Sequence, residues 1–343
     1  MPTTHRIPKS PNKNSNDNNM SDSSSSSMKR ARPSRVVDAE EVAQVINVMS
    51  TKEKTHYQRQ PVQSNLAGVW RGMLLEWMFF VIDYCKLSRQ SCAAAAYYLD
   101  VAMHRGLCKT REEHQLAAAV ALQLSLKTID TAVIKVEKLV NLGRGQFTAE
   151  DIASFEMKLI QELDWMVHPT TTYCFIRQFE QLLPSGVTEE ARDLIDEVTK
   201  VVAELSVLED QYLQYDSAVL GYATMLLAFE TIPKDIVPVY LRQCFFVRMS
   251  SIANLDSSSK AVLEAFDCLR ESLENSKLDQ VLDAIAEKTS DVFADDVSEN
   301  DHNSLDKSSH QGHERANSGI HFSPRDVRNF GSFSSFSNSP ISL

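Results

Sequence analysis

From Val69 the apolar side chains fall at Val69, Trp70, Met73, Leu74, Trp77, Phe80, Val81 and Tyr84. Steps of three and four residues put them on one face of a helix, so this stretch is predicted as a buried amphipathic helix. A second helix is expected from about Ser88, a good N-cap residue, through Ala93–Ala96 to a stop at Gly106. A third opens at Thr110, where Glu113 three residues on completes a capping box, and runs through Gln115 to Leu126. A fourth is expected over 128–142. A fifth starts at Thr148, with Asp151 in the N3 position, and runs to Trp165 before His168-Pro169, because a residue preceding proline is pushed out of the helical region. Five further helices are predicted over 170–183, 188–207, 211–230, 234–252 and 258–288, punctuated by Pro184-Ser185-Gly186, Ile232-Pro233 and Ser257–Ser259. No strand-like alternation persists, and the fold class read from this pattern is all-α, with two units of five helices on either side of Pro169.

The helical section is flanked by segments of different composition. Residues 1–37 are rich in Ser, Asn, Pro and Lys, and residues 290–343 in Ser, Asp, Asn and His. Neither carries enough apolar surface to offset the entropy of ordering, so both are expected to be disordered tails. The organisation is thus a basic tail at 1–37, one helical fold at 38–168, another at 169–289, and a second tail at 290–343.

Composition then narrows the function. The chain has 343 residues, 43% hydrophobic and 24% charged, with only 10 glycines and a net charge of −11. The first tail carries +5 and the second −4, leaving −12 on the helical part, the wrong sign for contacts with nucleic-acid phosphates. No apolar run reaches the ~20 residues of a membrane span, and no membrane partner is expected. Six isolated cysteines (Cys85, Cys92, Cys108, Cys174, Cys244, Cys268) form no CxxC pair. Phosphate-binding glycine loops, HExxH and GxSxG motifs are missing from the sequence. No catalytic residue, metal site or cofactor is expected.

Polar residues inside the apolar stripes say more. Arg71 lies between Trp70 and Met73, and Asp100 closes a Tyr-Tyr-Leu run. A lone charge in such a place is costly, so the two are expected to pair and tie the first helix to the second. Lys127 and Glu156, taken alone, read as ordinary helix-end and helix-face residues.

The order of these features resembles the cyclin family. Trp70-Arg71-Gly72-Met73-Leu74-Leu75-Glu76-Trp77 is similar to that family's M-R-x-x-L-V-D-W helix. Leu99-Asp100, Gln115-Leu116, Leu124-Ser125-Leu126-Lys127, Phe155-Glu156, Leu163-Asp164-Trp165 and His168-Pro169-Thr170 follow in family order. Glu209-Asp210 and Tyr215-Asp216-Ser217 to Phe229-Glu230 are similar to the second fold's central helices. The likeness covers about residues 40–285 and is tighter in the first half.

It implies two tandem five-helix cyclin folds and a regulatory subunit that binds and activates a cyclin-dependent serine/threonine kinase in cell-cycle control, without being an enzyme itself. The alternatives are a transcription-type cyclin and a cyclin-fold scaffold with no cell-cycle role. By the same resemblance Lys127 and Glu156 are the kinase-binding pair, and Arg71 and Asp100 a structural salt bridge. Trp70, Met73, Leu74, Trp77 and Gln115 match a groove that docks substrates or inhibitors through short Arg-x-Leu-type peptides. In that groove Trp70 stands in place of a methionine, Phe80 in place of a glutamate that would meet a basic peptide residue, and His114 in place of a leucine. Ser10, Ser323 and Ser339 precede prolines and are candidate phosphosites. Lys29-Arg30-Ala31-Arg32 with Arg35 is a basic cluster compatible with nuclear import, and the expected location is nucleus and cytoplasm.

Overall fold

The computed structural model describes residues 38–61, 65–130 and 134–276. Ser10, Ser323, Ser339, the basic cluster at 29–35 and the last part of the helix expected over 258–288 lie outside them. Among the described residues the fold is all-α, with helices α1 (Ala39–His56), α2 (Asn65–Cys85), α3 (Ser91–His104), α4 (Arg111–Ser125), α5 (Val136–Leu142), α6 (Ala149–Glu162), α7 (Thr172–Glu180), α8 (Glu189–Leu208), α9 (Ser217–Thr231), α10 (Val239–Ile252) and α11 (Lys260–Asn275).

Five of them, α2–α6, precede Pro169 and five, α7–α11, follow it. In the first group α3 lies at the centre, against α2, α4 and α6. The alanines Ala93–Ala96 and Ala117–Ala119 are all buried, and their small side chains let the α3 and α4 backbones approach closely. The capping box expected at Thr110 forms, and a second forms at Thr148. Thr110 Oγ1 accepts from the Glu113 amide at 3.2 Å and Thr148 Oγ1 from the Asp151 amide at 3.2 Å. In the second group α9 is central, against α7, α8 and α11. Gly221 sits where α7 crosses α9. A Cβ there would lie 3.2 Å from Phe175 Cβ and 3.2 Å from Phe179 Cε2. The two groups share one continuous apolar core, joined mainly through α8, which packs on α2 and α3 as well as on α7, α9 and α11.

Several boundaries differ from the periodicity reading. Helix α1 precedes the first predicted helix. Its Val42 and Ile46 are buried, Asp38 Oδ1 accepts from the Glu40 amide at 3.0 Å, and the helix packs on α7 and α10. The second helix starts at Ser91, after a turn over Arg89-Gln90, and Ser88 does not cap it. The fourth does not begin at Thr128. A single π-helical turn, Leu126–Asp130, continues α4, and α5 begins at Val136. The fifth stops at Glu162, because Asp164 and Trp165 take left-handed backbone angles (φ 49° and 60°). In the second half a 3-10 turn, Asp210–Gln214, precedes α9.

Two buried charges anchor these elements. Glu53 of α1 accepts from the Ser217 amide, the first of α9, at 2.6 Å, so a carboxylate meets the positive end of that helix. Arg59 donates to the Ser217 hydroxyl beside it. Arg242 of α10 donates to the carbonyls of Val237 (2.7 Å), Ile232 (2.7 Å), Pro233 (3.0 Å) and Phe229, capping the C-terminal end of α9.

Candidate functional site

The expected Arg71–Asp100 pair is present. Arg71 Nε donates to Asp100 Oδ1 at 2.6 Å and Nη2 to Oδ2 at 3.0 Å, a bidentate arrangement that uses the planarity of both groups. The remaining nitrogen, Nη1, donates to the carbonyls of Val207 (3.0 Å) and Leu208 (3.1 Å) at the end of α8. The Arg71 side chain is 2% exposed, so this is a buried tie between α2, α3 and α8 and not a surface available to a partner.

Lys127 and Glu156 are also brought together, from elements that the sequence separates by 29 residues. Lys127 is the second residue of the π turn, and its Nζ donates to Glu156 Oε1 at 2.7 Å and Oε2 at 3.0 Å. Glu156 projects from α6 beside Phe155, which points the other way into the core. The amphipathic period of α6 sets this division: Ile152, Phe155 and Leu159 are buried while Glu156 stays at the rim. Lys127 remains 36% and Glu156 19% exposed. Ile129, two residues after Lys127, and Met157, next to Glu156, are both exposed, at 42% and 50%. A cation and an anion are thus held at the surface with apolar side chains from the same turns left uncovered. In chemical terms the ammonium can donate to carbonyls and the carboxylate can accept from amides of another chain.

The residues matched to a docking groove do not all lie at the surface. Met73 is 38% exposed and Trp70, Trp77 and Gln115 are half-buried, whereas Leu74 is 3% exposed and belongs to the core. The Trp70 ring sits 5.6 Å from the His114 ring. Phe80 is 42% exposed and stacks on Tyr84 (centroids 6.5 Å apart, planes 23° apart). The end of this face where the resemblance places a glutamate is therefore aromatic.

Polar residues that the pattern reading passed over surround the Lys127 turn. Ser91, the first residue of α3, is fully buried, and its hydroxyl donates to Asp130 Oδ2 at the end of the π turn. The Ser91 carbonyl accepts from Ser125 Oγ at 2.6 Å. Thr128 Oγ1 donates to the carbonyls of Leu124 (2.9 Å) and Ser125 (3.2 Å), and lies 3.4 Å from Tyr98 Oη. The available signal was a serine heading an otherwise apolar alanine run, a polar group that needs a partner when buried.

Nor does the sequence pattern single out Glu204 of α8. Its side chain is 12% exposed and its Oε2 lies 3.0 Å from Arg89 Nη1. Arg89 also lies 3.4 Å from Asp83 and stacks over Phe79. Burial pushes the Glu204 carboxyl up to about 7, outweighing the Arg89 guanidinium that lowers it, with Asp83 adding a smaller push upward.

Comparison with known proteins shows what the chain is similar to. Residues 42–168 match the family model described as "Cyclin, N-terminal domain". Similar curated proteins include rice Cyclin-A1-4 (24% identical over 170 residues; 49% of this chain, 47% of that one). Human Cyclin-A1 is 27% identical over 203 residues (58% and 42%). The G1/S-specific cyclin-E of Caenorhabditis briggsae is 30% identical over 149 residues (42% and 27%). The chain thus spans less than half the length of each of these relatives. Among solved structures, a viral cyclin from herpesvirus saimiri matches with a TM-score of 0.50 at 18% identity, over 67% of this chain and 97% of that one, a likeness of fold.

Proposed function

We propose that this chain is a divergent cyclin-family member and the regulatory subunit of a cyclin-dependent serine/threonine kinase, acts in cell-cycle control, and contributes no catalytic group. On this reading the N-terminal cyclin fold occupies 38–168 and the second 169–289. The chain works in nucleus and cytoplasm, and modification at Ser10, Ser323 or Ser339 regulates it.

The observation that carries the reading is the Lys127–Glu156 pair, held on the surface among exposed apolar side chains. In the free chain each charge neutralises the other in a partly wet setting, where an ion pair contributes only ~0–1 kcal/mol. Little is lost when a docking kinase separates them. Once covered, the ammonium donates to carbonyls and the carboxylate accepts from amides of the kinase's regulatory helix and its neighbouring loop. Hydrogen bonds to charged groups contribute about 1.5–3 kcal/mol each, and they fix orientation. Ile129 and Met157 supply the apolar area around them. Activation follows mechanically: the docked helix is pushed inward, and the kinase's own Lys–Glu pair closes around ATP. A transcription-type cyclin would bind its kinase through the same surface and differ in when it is present.

The test is capture of cyclin-dependent kinases by the full chain, with kinase activity assayed on the captured complex and Lys127→Ala/Glu156→Ala alongside. Capture and activation that the double substitution abolishes support the reading. Capture that survives it removes Lys127 and Glu156 from the interface. No kinase captured leaves the scaffold alternative.

A further inference from the structure

Lys127 does not stand on regular helix. It occupies a π turn, a conformation with looser hydrogen bonding than an α-helix, rare and usually one turn long. Such a turn persists where surrounding contacts hold it open. Four are present here. Leu126 is fully buried below it. The Thr128 hydroxyl donates back to the carbonyls of Leu124 and Ser125. Tyr98, whose hydroxyl donates to the Val167 carbonyl at 2.6 Å, rests against Thr128. At the far end, the buried Ser91 hydroxyl donates to the Asp130 carboxylate, while the Ser91 carbonyl takes the Ser125 hydroxyl at 2.6 Å.

Ser91 therefore grips the turn at both ends: Ser125 just before it and Asp130 at its close. We propose that Ser91 and Asp130 are positioning residues for Lys127, their hydrogen bond pinning the π turn to the start of α3 so that the ammonium faces Glu156 and the surface around it. The inference rests on the kinase-binding role proposed above for Lys127, and it assigns to that site a support the family-matched pair does not include. Neither residue need touch the partner. Ser91 is fully buried, and Asp130 spends one carboxylate oxygen on it. Loss of the bond frees the turn to relax toward regular helix, which changes the angle at which residues 127–130 leave α4. Lys127 then has to be reordered each time it engages a partner, and affinity falls by that cost.

Two measurements on the full chain separate this proposal from the reading it rests on. The first needs no partner: backbone amide exchange over 126–130 in the free protein. Asp130→Ala and Ser91→Ala are expected to speed exchange there about tenfold, the scale of one hydrogen bond to a charged group. Asp130→Asn, which keeps an acceptor for Ser91, is expected to stay within about threefold. Unchanged exchange in both alanine variants overturns the latch.

The second is a double-mutant cycle on kinase affinity. Asp130→Ala should weaken binding about tenfold when Lys127 is present and have no further effect in a Lys127→Ala background. Losses that simply add would make Asp130 an independent contact or a general stabiliser, and overturn the positioning role. If the unmodified chain binds no kinase, the proposed function fails, and amide exchange alone decides whether Ser91 and Asp130 hold the turn.

Discussion

Arg71 and Asp100 meet through two parallel hydrogen bonds, 2.6 and 3.0 Å long, while the third guanidinium nitrogen caps the end of α8 through the Val207 and Leu208 carbonyls. One buried side chain thus ties α2 and α3 of the first helical group to the helix that joins it to the second. Arg71→Ala leaves the Asp100 carboxylate and two carbonyls without partners. The expected loss is about 3–5 kcal/mol, read as a lower urea midpoint. Arg71→Lys is not expected to rescue it, because an ammonium cannot form the bidentate pair and reach α8 as well.

Glu204 makes stability depend on pH in an unusual direction. Its folded carboxyl titrates at about 7 against an ordinary 4.5, so the folded chain holds a proton that the unfolded chain has released. The stability linked to that proton is complete below about pH 4.5 and is lost as pH rises through about 7. Across this window the difference amounts to about 3 kcal/mol as an upper bound. Glu204→Gln should therefore raise the melting temperature at pH 8 and leave a flatter profile between pH 5 and 8. Melting curves of the two proteins across that range check it. A parallel pair of profiles would mean that Glu204 is ionised in the folded state throughout.

Much of the fold was legible because helices announce themselves through local pattern. The stripe from Val69 to Tyr84 and the boxes at Thr110 and Thr148 depend on residues within a turn of each other. Arg71 and Asp100 were legible for a different reason: a charge inside an apolar stripe has few acceptable solutions. The π turn left no local mark, since Leu126–Asp130 continues a helical sequence and its shape comes from Ser91, 35 residues before its first residue. Glu204 and Glu53 left no local mark either, because what buries them, Arg89 and the first turn of α9, comes from distant parts of the chain. Helix α1 was missed although Asp38, Val42 and Ile46 carried an N-cap and an i, i+4 pair.

The aromatic end of the α2 face sets a preference that can be measured. With Phe80 stacked on Tyr84 where the resemblance places a glutamate, an Arg-x-Leu-type peptide finds no carboxylate at that position for its basic residue. Weak binding of such a peptide is expected, and Phe80→Glu should tighten it by up to about fivefold, the range of an exposed ion pair. Fluorescence anisotropy with a labelled peptide at two salt concentrations reads both the gain and its electrostatic origin.

Gly221 lies where α7 packs on α9. In Gly221→Ala the new methyl would sit 3.2 Å from both Phe175 and Phe179. The helix gains about 1 kcal/mol of propensity, but overpacking costs about 1–3 kcal/mol, so a small net loss is expected in urea unfolding. Gly221→Leu should cost clearly more.

The central claim is that Lys127 and Glu156 face a kinase and do not merely bridge one another. Exchanging the two charges, Lys127→Glu with Glu156→Lys, tests it most directly. The swapped chain keeps an ion pair across the same gap, so its unfolding midpoint should match the original. It presents each charge reversed to a partner, so kinase affinity measured by calorimetry should fall at least 100-fold, as two charge-assisted bonds turn repulsive. Swapped and original chains binding the kinase equally well would show that the pair is an internal bridge, and would contradict the account.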